Sequence, residues 1–273
     1  MLKKENEVAK HLYNSEKHGT ACASVAASSD YRALGVAPES QLIIIRCKGL
    51  GSVLEAEAIY WAVHQGADVI SCSWGPSDGD IDDPSDDFPS HRLPVHTKLA
   101  LEYAATKGRN GRGCPIFFAA GNGKEAVGLD SYASNANVMA IGAVNKQDRL
   151  SVYSDRGFPL FCVFPSSELI KVDGDYQTKY GVTVADRIGQ EGYSDADYFS
   201  LFGGTSASAP GMAGITALAL SENPNLTVSQ LRTLMATSCV KIGLPNDYDE
   251  NGYSEEYGYG LIDALKVVQK SKK

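Results

Sequence analysis

Gly203-Gly204-Thr205-Ser206-Ala207-Ser208-Ala209-Pro210 is the most specific stretch of the chain. Two glycines permit a tight turn, and small residues then open a helix that is nearly apolar all round. That helix runs from about Ser206 through Gly211, Ala217 and Leu220 to Glu222, with Pro224 ending it. Such a turn delivers a serine hydroxyl to the first turn of a central helix. There the helix N-terminus favours developing negative charge, and backbone N–H groups can donate to it. The same letters also describe an ordinary Ser/Thr-capped helix start, so the octapeptide is weighed with its surroundings.

Upstream, short β-rich apolar runs alternate with helical patterns, which is the signature of βαβ units around a buried parallel sheet. Strands are expected at Gln41 to Cys47 (QLIIIRC), Asp68 to Ser73, Pro115 to Ala120 and Asn137 to Val144, each bounded by Gly, Pro or Asn. Crossover helices are expected over Val53 to Gln65, with Leu54, Ala58, Ile59, Ala62 and Val63 on the inner face, and over Val95 to Lys107. A further helix rich in small residues begins near His18. Ser166 to Ser200 reads as loops with a short hairpin. The fold class is therefore α/β.

The composition fits one large domain. The 273 residues suffice for a single core, 43% are hydrophobic and 21% charged, and no Pro-, Ser- or Gly-rich stretch divides the chain. A polar lead-in (1–17), a domain (18–264) and a basic tail (265–273) are the expected divisions. A net charge of -8 argues against nucleic acid as a partner, and no run of about 18 apolar residues points to a membrane. Acid is concentrated in one loop, at Asp78, Asp80, Asp82, Asp83, Asp86 and Asp87. The six cysteines lie far apart with no C-x-x-C pair, so free thiols are expected, and with the polar N-terminus they favour a reducing, cytoplasmic setting over secretion.

Two further segments carry chemistry. His18-Gly19-Thr20 puts an imidazole at a helix start, a position that is often structural and becomes catalytic only with a partner to orient it. Ala119-Ala120-Gly121-Asn122-Gly123 ends an expected buried strand and leaves an amide at the carboxyl edge of the sheet, where α/β sites gather; the alternative is a plain Asn-Gly turn. The five histidines form no H-E-x-x-H pattern, which speaks against a metal hydrolase.

Together, in the chain order histidine, asparagine, serine, these segments resemble the subtilase family of serine peptidases. The kexin-like branch is the nearer likeness, through Ser71-Cys72-Ser73-Trp74-Gly75-Pro76-Ser77-Asp78, GTSASAP and Tyr257-Gly258-Tyr259-Gly260-Leu261-Ile262-Asp263-Ala264. The resemblance implies a three-layer subtilisin-like fold with a mostly parallel central sheet and helices on both faces. It implies a serine endopeptidase acting on polypeptides through an acyl-enzyme, with His18 as general base, Ser206 as nucleophile and Asn122 as the side-chain half of an oxyanion hole. It places Ser73, Trp74, Gly75, Asp78 and Asp130 along the substrate, the two acids favouring Arg or Lys. It assigns structural calcium to Asp78, Asp155 and Glu125, with no cofactor needed for the chemistry. The acid of a second basic subsite finds Gly51 or Ser52 instead, which tells against strict dibasic selectivity.

The likeness also implies a triad aspartate on a central strand some thirty residues before the histidine, whereas seventeen residues precede His18 here and none is aspartate. Glu5, Glu7 and Glu16 follow no apolar strand pattern. The expectation is an upstream segment or a second chain that supplies the acid, or else a degenerate chain that binds basic peptides with little turnover.

Overall fold

The computed structural model describes residues 16–47, 50–83 and 92–272. The expected lead-in lies outside these apart from Glu16 and Lys17, as do Asp86 and Asp87 of the acidic loop.

β2 (Ile116–Ala119) is the pivot of the sheet. It pairs in parallel with β1 (Ile70–Cys72) on one side and with β3 (Met139–Val144) on the other, and β4 (Leu160–Pro165) continues the parallel array. β10 (Leu261–Ile262) adds in parallel to β4, and β9 (Cys239–Val240) closes that end antiparallel, giving six strands in the order β1-β2-β3-β4-β10-β9.

Side chains alternate across the pleat. Ile116 and Phe118 enter one core with Ala56 and Ile59 of α2 (Val53–His64) and Ala100, Leu101 and Ala104 of α3 (Val95–Gly111). Phe117 and Ala119 enter the other, with Ala209, Met212 and Ile215 of α4 (Thr205–Glu222), Leu231 of α5 (Val228–Ala236) and Val267 of α6 (Ala264–Ser271). Helices thus cover both faces, as expected for a three-layer α/β fold. α1 (His18–Ala27) lies against α4. The stretch from 166 to 202 forms two hairpins, β5 (Glu168–Val172) with β6 (Asp175–Lys179) and β7 (Val182–Ala185) with β8 (Tyr198–Phe202).

Two expectations are corrected. Gln41 to Cys47 forms no strand, and Leu42, Ile43, Ile44 and Ile45 are exposed, because a strand needs a hydrogen-bonded neighbour and no described strand pairs with this stretch. α2 turns Glu55, Ala56, Ile59 and Ala62 inward and leaves Leu54 exposed, since Glu55 finds polar partners inside. The described part of the basic tail is largely helix: Asp263 caps α6, Val267 is buried against α4 and α5, and Lys266, Lys270 and Lys272 are exposed. All six cysteines are free, as expected.

Candidate active site

Ser206 is the second residue of α4, and the turn before it requires glycine. Gly204 sits at φ +72°, and a Cβ there would lie 3.0 Å from the side-chain oxygen of Asn122. That oxygen accepts the Thr205 N–H at 2.8 Å and the Thr205 hydroxyl at 3.1 Å. With that oxygen engaged, the amide NH2 is the donor end left to Asn122, and with the Ser206 N–H it would make a donor pair of the kind that holds an oxyanion. Asn122 is fixed from its backbone too, its N–H donating to Asp78 at 2.9 Å.

His18 opens α1 with its ring edge-on to Phe202, centroids 5.7 Å apart. It meets Ser206 through Cys22, one helical turn on: the thiol lies 3.6 Å from Nδ1 of His18 and 3.6 Å from the Ser206 carbonyl oxygen, to which it donates. Burial holds the imidazole below its usual pKa and pushes the Cys22 thiol up to about 11. Cys22 is thus a neutral neighbour, not an anion that could orient an imidazolium. Among the described residues no carboxylate hydrogen-bonds His18. Cys22 carries no recognisable motif beyond its i+4 spacing from His18, and that spacing is the signal by which sequence could have found it.

The Ser73 hydroxyl donates to the Ser206 carbonyl at 2.9 Å, which ties the end of β1 to the start of α4. Trp74 packs edge-on against Phe118 and Tyr132. Gly75 lies beside Asp130, whose Oδ2 would be 3.1 Å from a Cβ on that glycine.

The two acids expected to share one pocket have different partners. Asp130 lies by Gly75 and accepts the Tyr132 N–H at 2.7 Å. Asp78 joins Glu125 and Asp155 in a group whose ligand oxygens all lie within 4.8 Å of one another. Asp155, 3% exposed, accepts the Gly123 and Glu125 N–H groups at 3.0 Å each. Burial pushes its carboxyl up to about 8, and the Asp78 and Glu125 carboxylates add repulsion. Three convergent carboxylates that repel one another, all of them hard oxygen donors, fit a calcium-type cation. Gly121, at φ +115°, has no room for a side chain, because a Cβ would meet Asp155 at 2.1 Å.

Comparison with known proteins identifies the family. The subtilase family model matches residues 3–260. A calcium-dependent protease of Trichormus variabilis is 44% identical over 270 residues, covering 94% of this chain and 40% of that protein. A dibasic-processing endoprotease of Yarrowia lipolytica is 32% identical, covering 92% of this chain and 25% of that protein. The chain thus spans less than half the length of either relative. Among solved structures, the Aeromonas sobria serine protease in complex with its chaperone superposes with a TM-score of 0.77 at 21% identity, covering 96% of this chain and 54% of that one.

Proposed function

The chain belongs to the subtilase family, and from that premise we propose that it cleaves polypeptides as a serine endopeptidase, after basic residues. Members of the family are serine peptidases; the assignment of roles to residues is ours. The observation that supports it is the Asn122–Thr205 bond, which commits the amide oxygen to the start of α4 and leaves the amide NH2 to act as a donor.

The Ser206 hydroxyl attacks the scissile carbonyl while His18 takes its proton, and the Asn122 amide with the Ser206 N–H holds the oxyanion. His18 returns the proton to the leaving amine, and water hydrolyses the ester by the same route. Asp130, half-buried beside Gly75, is the acid we assign to an Arg or Lys side chain. Asp78 is assigned to the cation site with Glu125 and Asp155. Calcium there would offset the repulsion of the three carboxylates and hold the loop that carries Asn122; it supplies no step of the chemistry. That role is consistent with the name of the Trichormus relative.

The test is cleavage of paired fluorogenic peptides, Arg or Lys against Ala or Glu before the scissile bond, with calcium and with Ser206→Ala as control. Cleavage of the basic peptides alone, lost in Ser206→Ala, is expected. Equal cleavage of all four, or cleavage that survives the substitution, would overturn the reading.

A second reading is favoured by two observations made among the described residues: His18 has no carboxylate partner, and β1 has a neighbouring strand on one side only while the apolar stretch 41–47 is exposed and in no strand. A strand from an upstream segment or from a second chain would fill that edge and bring the acid. A folded but silent chain that becomes active when such a strand is added would establish this form of the function.

A further inference from the structure

Glu55 has no part in the chemistry above, yet it is 2% exposed. A carboxylate so buried needs compensating donors. It accepts the Gly51 N–H at 2.9 Å, the Thr97 hydroxyl at 2.8 Å and the Tyr132 hydroxyl at 3.3 Å, and its place in the first turn of α2 adds the favourable field of the helix N-terminus. Gly51 and Thr97 belong to the scaffold around α2 and α3. Tyr132 belongs to the candidate site: its own N–H binds Asp130, and its ring stands edge-on to Trp74 with centroids 5.5 Å apart. Trp74 in turn sits between Ser73, which is bonded to Ser206, and Gly75, which abuts Asp130. Burial, and after it the Glu55 carboxylate, raises the Tyr132 phenol well above its usual range, so it stays a donor at any working pH.

We propose that Glu55 is a positioning residue: by holding Tyr132 it sets the Trp74–Gly75 wall and the Asp130 carboxylate in the geometry that receives a basic side chain. This rests on the Asp130 pocket proposed above. With its oxygens occupied and its surface closed, Glu55 does not itself touch a substrate cation, and its influence passes through one phenol.

The test uses p-aminobenzamidine, a fluorescent mimic of an arginine head group, bound at equilibrium to Ser206→Ala protein carrying Asp130→Asn, Glu55→Gln, Tyr132→Phe or no further change. Melting curves run alongside. Asp130→Asn should weaken binding most, and both Glu55→Gln and Tyr132→Phe should weaken it about fivefold, the loss of one hydrogen bond, while unfolding stays cooperative. With Ser206 intact, KM for Arg peptides should rise in these two variants while kcat is kept. Tyr132→Phe preserves the ring and the packing, so it remains informative if Glu55→Gln does not fold. Wild-type affinity in Tyr132→Phe, beside a clear loss in Asp130→Asn, would overturn the positioning role and leave the pocket standing. A probe that binds Asp130→Asn as well as the parent would overturn the pocket, and the inference with it.

Discussion

The side-chain oxygen of Asn122 is committed to the Thr205 N–H at 2.8 Å, so the amide cannot turn over without unpairing the first turn of α4. A preorganised donor of this kind acts on the transition state far more than on bound substrate. Asn122→Ala should therefore lower kcat by about 10²–10³ with little change in KM. Steady-state kinetics on an Arg peptide checks this, and an equal loss spread over KM would show that the amide acts in binding instead.

The carboxylate beside Gly75 is expected to set selectivity. Asp130→Asn keeps shape and removes charge, so the preference for Arg over a neutral residue should fall by about 10-fold to 100-fold, the worth of a charge-assisted bond. The readout is the ratio of kcat/KM for matched peptides. An unchanged ratio would move the selectivity to Asp78, whose oxygens are otherwise taken up by Asn122 and the cation group.

Burial pushes Asp155 up to about 8, whereas an unfolded aspartate titrates near about 4. Across that window the folded chain holds a proton that the unfolded chain has released, so stability in chelator should fall as pH rises from about 4 through about 8. A cation that takes the ionised form works against that loss. The rise in Tm on adding calcium should accordingly be larger near pH 8.5 than near about pH 5.5, and Asp155→Asn should flatten both trends. Differential scanning fluorimetry with calcium or chelator decides it.

How far this site could be read from sequence follows from what kind of signal each residue leaves. Ser206 and Asn122 stand in Gly-rich turns that tolerate few alternatives, and a Cβ at Gly121 or Gly204 would strike the residues that build the site. Glu55 leaves no such mark. Periodicity treats a glutamate as outward-facing, and its burial depends on Gly51, Thr97 and Tyr132, up to 77 residues away in the chain. The same rule assigns Leu54 to the core, one position off, whereas it is exposed. The strand pattern of 41–47 is sound as a pattern, but a strand needs a neighbour, and apolar letters do not supply one.

His18 must be neutral to accept a proton, and burial holds its pKa below the ordinary value, with no carboxylate among the described residues hydrogen-bonded to it. The acid limb of kcat/KM should then have its midpoint below about 6.5, activity rising with pH through it. Adding a strand that brings a carboxylate to the ring would stabilise the imidazolium and move the midpoint upward. A midpoint that stays fixed when the activating strand is added would mean that the strand acts on the sheet and not on His18.

The open edge of β1 is the place we expect that strand to bind. Leu42, Ile43, Ile44 and Ile45 are 48%, 39%, 55% and 37% exposed, and among the described residues β1 leaves one edge of the sheet unpaired. Such a combination invites either a complementary strand or self-association. Replacing Ile43 and Ile45 together by lysine should keep the chain monomeric at concentrations where the parent associates, because charge on an edge opposes pairing. The same pair of lysines should abolish any gain in activity from an added upstream strand while leaving α4 and the Asn122 turn folded. Size-exclusion chromatography beside the peptide assay tests both halves. If the double variant is activated as fully as the parent, the strand enters elsewhere and the open edge of β1 is not its seat.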